Sequence, residues 1–164
     1  MKITLITILI LFLHYTNLFS QWSNDPNINF QVSGSSGEQV LPKIAILSNG
    51  FTYICWFDNR NGNYAVYLQQ LNSLGEKQFA AEGLLISGNP QSSSLVDYDM
   101  ITDDSNNAII AFTDTRNGSD INPFIYKISS QGDFIWGANG ITLSNDPGTF
   151  QANPRLAKTS DNSI

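Results

Sequence analysis

The sequence predicts an all-β fold built from repeated four-stranded antiparallel sheets, and three observations support this. A short motif, aromatic-x-Asp-x-Arg-Asn-Gly, occurs at residues 56–62 and again at residues 112–118. The apolar run FTYICWF at residues 51–57 leads into the first motif and is rich in the aromatic and β-branched residues that favour strands. No segment after residue 20 has the 3.6-residue apolar periodicity of an amphipathic helix.

The motif belongs to a longer repeat that divides the chain. Asp114 lies 56 positions after Asp58, and Gly140 lies 57 positions after Gly83, so the match extends well beyond the turn. Regular spacing of this kind indicates an array of equal structural units. The predicted units are an N-terminal segment at residues 21–41 with a partial copy at 28–33, a first repeat at 42–97, a second at 98–153 and the start of a third at 154–164.

Each repeat is predicted to contain four short strands. In the first repeat these cover about residues 43–47, 51–57, 64–71 and 84–87. Asn61-Gly62 predicts a type I′ hairpin turn, because both residues tolerate a positive φ. The second strand is apolar on both faces, as stacked sheets require. We therefore predict a β-propeller-like array that is incomplete, with about two full blades plus partial blades. A β-sandwich and a β-solenoid are the alternative architectures.

The first twenty residues predict export. Lys2 supplies a positive charge, and the apolar run at residues 3–13 is too short to span a bilayer. We expect a signal peptide at residues 1–20, cleaved after Ser20, and a secreted or cell-surface protein with no membrane contact after cleavage. An uncleaved N-terminal anchor is the alternative. Cys55 is the only cysteine, and export without an intramolecular disulfide indicates a bacterial protein.

Composition argues against several classes of function. The only histidine, His14, lies in the predicted signal peptide, so the mature chain lacks the imidazole of Ser-His-Asp and Cys-His catalysis and of the usual zinc sites. The formal net charge is −6, and the basic residues form no run. Such a chain is not expected to bind nucleic acid or an anionic membrane surface.

The repeated motif is predicted to have a structural role. Its aspartate can accept hydrogen bonds from turn amides two residues on, and its arginine can pair with that aspartate. A catalytic residue is needed once, whereas a structural residue is needed in every repeat. The residues assigned to this turn are Asp58, Arg60, Asn61, Gly62, Asp114, Arg116, Asn117 and Gly118.

Two sets of acidic residues are candidates for chemistry. Asp103, Asp104 and Asn106 offer oxygen ligands for calcium, although a polar turn is the preferred interpretation. Asp97 and Asp99 are candidates for the facing carboxylates that glycoside hydrolysis needs, although nothing in their spacing singles them out.

A lengthened hairpin in the second repeat is a candidate for ligand recognition. Residues 118–124 extend this hairpin relative to its counterpart in the first repeat. Lengthened loops are where rigid scaffolds carry binding residues. Asp120, Asn122 and Phe124 are therefore candidates for ligand contact.

The matched residues resemble a repeat of exported proteins from environmental bacteria, many of which carry a type IX secretion signal. That repeat reads W-x-D-x-R-x-G, then Y-x-Q-x-L, G, W and G-x-x-(I/V)-S. In this chain the pattern is followed by Trp56, Asp58, Arg60, Gly62, Tyr67, Gln69, Leu71, Gly75, Phe79, Gly83 and Ser87. The second repeat departs from it at Phe112 and at residues 126–128, where Gln would stand. The resemblance covers residues 28–164 and implies a β-propeller-like surface protein. Sialidase-type propellers are more distantly similar, but their Ser-x-Asp-x-Gly-x-Thr-Trp box is absent.

Two functional hypotheses follow. The preferred one is a non-catalytic binding or adhesion scaffold of the bacterial surface or exterior, with no cofactor and with an extracellular glycan or protein as partner. The alternative is a propeller-fold glycoside hydrolase or sialidase-like enzyme whose site lies partly beyond Ile164. Because a closed propeller needs at least four blades, the array also predicts a longer protein with further repeats.

Overall fold

The computed structural model describes residues 25, 27–91, 97–118, 120–144, 146–161 and 163–164. The chain divides into a unit of residues 1–30 and a unit of residues 31–164. In the first unit the described part is a short turn, in which the backbone and side-chain amides of Asn27 donate to Asp25 Oδ1 at 2.9 Å. The predicted signal peptide and its cleavage after Ser20 lie outside the described residues.

The all-β prediction is confirmed. The described part of residues 31–164 forms β1 (Gln39–Ile46), β2 (Thr52–Asp58), β3 (Tyr64–Leu71), β4 (Leu84–Gln91), β5 (Asp99–Thr102), β6 (Ala108–Asp114), β7 (Asn122–Ile128) and β8 (Ile141–Thr142). Two antiparallel sheets result: sheet A has the order β1-β2-β3-β4, and sheet B has the order β5-β6-β7-β8. No helix is present among the described residues, and a search of them finds no segment able to cross a membrane as a helix.

The strand boundaries of the first repeat agree closely with the sequence pattern for β2 and β3, whereas β1 begins earlier and β4 ends at residue 91 rather than at the predicted 87. β3 covers the predicted residues 64–71, and β2 is shifted by one residue from the predicted 51–57. β1 begins four residues earlier than predicted, because the chain resumes pairing with β2 beyond a register shift at residues 40–43. Leu41, inside that shift, has a φ of 51°, which is the irregular backbone expected of a bulge.

The second strand of each sheet is buried on both faces. Every residue of β2 and of β6 is buried. Alternate side chains of β2 point to opposite faces, so Tyr53, Cys55 and Phe57 lie on one side, and Ile54 and Trp56 lie on the other. The near-continuous apolar sequence of these strands is therefore explained by burial on both sides.

A single apolar core lies between the two sheets. Its buried members are Leu47, Tyr53, Cys55, Phe57, Val66, Leu68 and Ile86 from the first repeat, and Tyr98, Met100, Ala108, Ile110, Phe112, Phe124, Tyr126 and Ile128 from the second. Phe57 and Tyr98 meet edge to face at 4.9 Å between ring centroids. Full burial of each large aliphatic or phenylalanine side chain in this core contributes about 1.5–3 kcal/mol of hydrophobic stabilisation.

Each sheet also has an outward apolar face with a smaller cluster. On sheet A, Val32 packs against the cluster that contains Ile54 and Trp56. On sheet B, Leu156 packs against the cluster that contains Ile109 and Ala111. Segments outside the eight strands therefore cover part of both outward faces.

The backbone hydrogen bond that closes the turn between the first and second strands occurs three times along the chain, at intervals of 56 residues. The backbone N–H of Leu47 donates to Phe51 O at 2.8 Å, and that of Asp103 donates to Asn107 O at 3.1 Å. The N–H of Thr159 donates to Ser163 O at 2.9 Å, which places a third turn of this kind 56 residues after the second. The last residues of the chain thus repeat the backbone hydrogen bond that opens each sheet.

Candidate functional site

The repeated turn of the first repeat holds a buried ion pair at the end of β2. The side chain of Asp58 is 0% exposed, and its Oδ1 accepts hydrogen bonds from the backbone N and the Nε of Arg60, both at 2.9 Å. Its Oδ2 accepts from Arg60 Nη2 at 2.5 Å and from Trp56 Nε1 at 3.2 Å. The guanidinium carbon of Arg60 lies 3.9 Å from the centre of the Tyr67 ring on β3. The pair therefore ties β2, the turn and β3 together.

The surroundings of this pair keep both groups charged. Burial alone would raise the pKa of the Asp58 carboxyl, but the hydrogen bonds from Arg60 and Trp56 outweigh burial and hold the pKa below its ordinary value. The hydrogen bonds to Asp58 raise the pKa of the Arg60 guanidinium. A general acid working near neutral pH needs the opposite shift of a carboxyl pKa, so this geometry favours a structural role.

The second repeat reproduces the arrangement nearly atom for atom. Asp114 Oδ1 accepts from the backbone N of Arg116 at 3.1 Å and from its Nε at 2.9 Å, and Oδ2 accepts from Nη2 at 2.5 Å. The guanidinium carbon of Arg116 lies 3.7 Å from the centre of the Phe124 ring, which is the counterpart of Tyr67 on β7. The two copies thus share one set of contacts in similar surroundings.

Each arginine also reaches a serine that precedes its own sheet. Arg60 Nη2 donates to Ser33 Oγ at 3.4 Å, and Arg116 Nη2 donates to Ser87 Oγ at 3.4 Å. Ser87 lies on β4, so the second contact joins sheet B to sheet A. Nothing in the local pattern of the motif indicates these serines. The 54-residue spacing between Ser33 and Ser87 is the signal that could have paired them with their arginines.

The turn itself is not of the predicted type. The N–H of Gly62 donates to Asn59 O at 2.7 Å, which closes a four-residue turn over residues 59–62. Gly62 has a φ of 95°, whereas neither Asn61 nor Asn117 has a positive φ. The type I′ prediction is therefore wrong. The turn has no positive φ at either central residue and ends in a glycine, and the Asp58 carboxylate accepts a hydrogen bond from the N–H of its second residue, Arg60.

The residues predicted to bind calcium are engaged in protein contacts. Asp103 is buried, forms an ion pair with Lys127 at 2.7 Å, and accepts hydrogen bonds from the Asn107 side chain at 2.8 and 3.1 Å. Burial opposes its charge, but these donors outweigh burial and hold its pKa low. Asp104 pairs with Lys158 on the surface. Asn106 has a φ of 62° and stands where the first repeat has a glycine. Among the described residues no group of three or more acidic, histidine or cysteine side chains could hold a metal ion.

The two carboxylates considered for hydrolysis are also held by the protein. Asp97 pairs with Lys43 at 3.1 Å and with Arg155 at 2.6 Å. Partial burial opposes its charge, but these hydrogen bonds outweigh burial and lower the pKa of the Asp97 carboxyl. Asp99 Oδ2 accepts from the backbone N of Leu156 at 2.9 Å. A glycosidase acid needs a raised pKa, which Asp97 lacks.

The three residues of the lengthened hairpin occupy different environments. Phe124 is buried beneath the Arg116 guanidinium, and Asn122 is buried with no hydrogen-bond partner for its side-chain amide. Asp120 is half-buried, and its Oδ2 accepts from the N–H of Gly148 at 2.9 Å. Of the three, Asp120 is the one that remains partly open to solvent.

Asp120 lies at a small cavity formed by two loops of the second repeat. The cavity has a volume of about 200 Å³ and is lined by Asp120, Ile121, Gly148, Thr149 and Phe150. Phe150 is 72% exposed, and its ring is a large apolar surface open to a ligand. The N–H of Gln151 donates to Ile121 O at 3.2 Å, which holds the two loops together. The sequence singled out Asp120 but not Phe150, because Phe150 lies outside the repeat pattern.

The single cysteine is a core residue. Cys55 is fully buried between the sheets, and burial raises the pKa of its thiol to about 12. Its backbone carbonyl lies 2.6 Å from the Tyr98 hydroxyl, which is also 2.8 Å from Leu41 O. Tyr98 thereby links sheet B to β1 and β2 of sheet A, a role that its position in the sequence does not reveal.

No protein-family model, curated protein or solved structure matches this chain. Inferences about the function therefore rest on the fold and on the geometry of the site.

Proposed function

We propose that the protein is an exported, non-catalytic repeat scaffold of the bacterial surface or exterior that binds an extracellular glycan or protein. The repeated Asp–Arg turns hold the sheets together, and the unrepeated loops of the second repeat bind the ligand. We propose a propeller-like architecture, because the two sheets are related by an offset of 56–57 residues along the sequence and pack face to face through the shared core.

The cavity between the loops at residues 118–122 and 146–151 is the observation that carries this proposal. It combines an exposed aromatic ring, Phe150, with a carboxylate, Asp120, and a hydroxyl, Thr149. An aromatic face can stack on the apolar side of a sugar ring, and an adjacent carboxylate can accept hydrogen bonds from its hydroxyls. In the sequence, residues 92–96 of the first repeat align with this segment and include no aromatic residue. The aromatic ring of this cavity is therefore not part of the repeated pattern, which supports a role in binding a ligand.

The engagement of the acidic residues supports binding over hydrolysis. Asp97 pairs with two cations, Asp99 accepts a backbone N–H, and Asp103 pairs with Lys127. A hydrolase would need two facing carboxyls with different pKa values, one of them raised. Asp97, whose pKa is lowered, does not fit the role of the carboxyl with the raised pKa.

A glycan array and a panel of chromogenic glycosides test this proposal on the same preparation. We expect binding without turnover. Phe150→Ala and Asp120→Asn should each weaken binding at least about tenfold, the loss of one good contact. Leu74→Ala, at an exposed turn residue of the first repeat, is the matched control and should leave binding unchanged. Glycoside cleavage that disappears in Asp97→Asn or Asp99→Asn would instead establish the hydrolase.

A further inference from the structure

Hydrogen-bond donors around the cavity at Asp120 are engaged within the protein. The N–H of Gly148 donates to Asp120 Oδ2 at 2.9 Å. The Thr149 hydroxyl donates to Asp146 O at 2.7 Å, and the Thr149 N–H donates to the same oxygen at 3.4 Å. These three donors are therefore not available to an anionic ligand.

Acceptors remain at the same place. Asp120 is half-buried, and its Oδ1 has no hydrogen-bond partner among the residues that the structure describes. Gln151 Oε1 is buried and likewise unpartnered, while Gln151 Nε2 donates to Thr149 Oγ1 at 3.1 Å. Because the donors are used and acceptors are left over, the cavity favours a ligand that itself donates hydrogen bonds.

The local charge favours a ligand that is also positively charged. Residues 118–153 contain three aspartates and a single basic residue, Lys127. The Lys127 ammonium pairs with Asp103 at 2.7 Å and is thus already neutralised. Asp120 forms no ion pair within the described part of the chain. A half-buried carboxylate of this kind is stabilised by a cation that a ligand brings.

The ring of Phe150 offers a second attraction for such a cation. Phe150 lines the cavity together with Asp120, and its side chain is 72% exposed. None of the cations that the structure describes lies over this ring. The face of an aromatic ring attracts an ammonium group, and it also packs against the apolar face of a sugar. One ligand that carries both features can therefore use the ring and the carboxylate together.

The size of the cavity indicates a single ring-sized group. Its volume of about 200 Å³ is below the roughly 300–1,000 Å³ of sites for drug-sized ligands. A stable protein partner would need about 800 Å² of surface on each side. One exposed ring beside one carboxylate is instead sufficient for one saccharide residue, so the cavity favours a saccharide over a basic protein.

We infer that this cavity recognises saccharides that carry a free, protonated amine, such as glucosamine residues. The ammonium group pairs with Asp120 Oδ1, and the apolar face of the sugar ring packs on Phe150. This inference rests on the proposed binding function and assigns a ligand class to the same site. An N-acetyl group removes the positive charge, and a uronic acid places a second carboxylate beside Asp120, so both kinds of sugar should bind less tightly.

Isothermal titration calorimetry with short oligomers of glucosamine, N-acetylglucosamine and galacturonic acid tests the inference on the unsubstituted protein. At about pH 6 an amine with a pKa near that of an α-amino group is protonated. We expect the glucosamine oligomer to bind at least about tenfold more tightly than either of the others. This advantage should shrink when NaCl is raised from about 0.1 M to 1 M, because salt screens the ion pair.

Substitutions separate the contribution of charge from that of stacking. Asp120→Asn keeps an acceptor for the Gly148 N–H but removes the charge. It should weaken binding of the glucosamine oligomer at least about tenfold and change binding of the N-acetylated oligomer by no more than about twofold. Phe150→Ala should weaken binding of both oligomers. Asp133→Asn removes an exposed carboxylate of the same repeat outside the cavity, and this matched control should leave both affinities unchanged.

Several results would overturn the inference. Equal or tighter binding of the N-acetylated or acidic oligomer is one, and equal losses in Asp120→Asn and Asp133→Asn are another. If that binding still depended on Phe150, the proposed function would stand without the preference for an amine. An oligolysine peptide that binds when the glucosamine oligomer does not would also overturn the inference and would leave a protein as the partner. The comparison of ligands needs no variant, so it decides the matter even if a substituted chain fails to fold.

Discussion

Asp58 illustrates how a single charge is kept inside this protein. Its side chain has no exposed surface, yet it faces three donors from Arg60 and one from the Trp56 indole. A buried carboxylate without such donors would be strongly destabilising, whereas one with its oxygens satisfied can fix a turn. The arginine is pre-positioned because it lies only two residues away on the same turn.

Replacing Asp58 by asparagine should destabilise the fold substantially. The asparagine retains the shape but leaves the Arg60 guanidinium without its counter-charge in a mostly buried position. We expect the free energy of unfolding to fall by about 2 kcal/mol, less than for a fully buried pair, because Arg60 is in part exposed. Urea denaturation monitored by circular dichroism measures this change.

An exposed ion pair provides the control for this substitution. Asp104→Asn removes the partner of Lys158 at the surface, where the expected loss is about 0.5 kcal/mol or less. Equal losses in Asp58→Asn and Asp104→Asn would contradict the role assigned to the buried pair. Asp114→Asn in the second repeat should match Asp58→Asn.

The lowered pKa values of Asp58 and Asp103 predict the direction of acid sensitivity. Both folded pKa values lie below the ordinary value of 3.8, so around pH 4 and below the unfolded chain binds more protons than the folded one. The stability that these groups contribute is present above that range and is lost as pH falls through the folded pKa values. Urea midpoints should be nearly constant from pH 7 to 5 and should fall between about pH 4 and 2.

The double variant Asp58→Asn, Asp103→Asn tests the origin of that fall. At pH 7 this variant should be less stable than the unsubstituted protein. Between about pH 4 and 2, however, its stability should fall by a smaller amount than that of the unsubstituted protein. An unchanged slope below pH 4 would assign the acid sensitivity to other carboxyls.

At the level of secondary-structure elements, two glycines allow the loop before the fourth strand to pass close to the sheet. Gly83 has a φ of 89°, and a Cβ there would lie 2.6 Å from the Trp56 ring. Gly140, its counterpart, has a φ of 63°, and a Cβ would lie 2.6 Å from Ile125 O. The repeat keeps glycine at both positions because the backbone approaches within contact distance of the layer beneath.

Gly83→Ala should therefore cost more than the same substitution at an open turn. At Gly62 the φ is 95°, but a Cβ would meet nothing within 4 Å, so Gly62→Ala carries only the left-handed penalty of about 1–2 kcal/mol. Gly83→Ala adds a clash with the buried indole and should lose at least about 1 kcal/mol more. Thermal unfolding of the two variants measures the difference, and equal Tm values would show that the loop moves away freely.

The elements themselves could largely be predicted from the sequence, because local patterns determine them. The apolar runs of β2 and β6 and the turn residues between strands depend on neighbours a few positions away. The hydrogen bond from the Arg60 N–H to Asp58 agrees with the sequence pattern, but the turn type does not. The Asn-Gly dipeptide does not determine which two residues lie at the centre of the turn, and here these are Arg60 and Asn61.

Contacts between residues far apart in the sequence could not be predicted in the same way. Tyr98 reaches backbone carbonyls at Cys55 and Leu41, and every residue has a carbonyl, so no side-chain pattern marks the acceptors. Likewise Tyr126 occupies the place of Gln69 on the third strand and hydrogen-bonds to Arg116 instead of to a loop. Because a tyrosine in one repeat stands where the other has a glutamine, comparison of the two repeats in the sequence does not predict the hydrogen bond between Arg116 and Tyr126.

At the scale of the whole molecule, the two sheets share one core and are expected to unfold as one unit. Each sheet alone would expose an apolar face, since Phe57 and Tyr98 belong to opposite sheets and complete each other's burial. Two hydroxyl contacts reinforce this core: Tyr53 donates to Asn106 O at 3.0 Å, and Tyr98 lies 2.6 Å from Cys55 O. The cluster on the outward face of each sheet is much smaller than this shared core, so neither sheet is expected to persist after the other unfolds.

Two tryptophans allow this cooperativity to be measured sheet by sheet. Trp56 lies in sheet A, and Trp136 packs against the outward face of sheet B. With Trp22 replaced by Phe throughout, Trp136→Phe reports on sheet A, and Trp56→Phe reports on sheet B. Within each variant, the fluorescence and circular dichroism midpoints in urea should coincide. Adding Tyr98→Phe should lower both midpoints together, corresponding to a loss of about 1 kcal/mol in the free energy of unfolding for the lost hydrogen bond. Two outcomes would show that the sheets are stable independently and that the shared core does not unite them. One is a fluorescence transition that precedes the loss of circular dichroism in either variant. The other is an effect of Tyr98→Phe that is confined to one sheet.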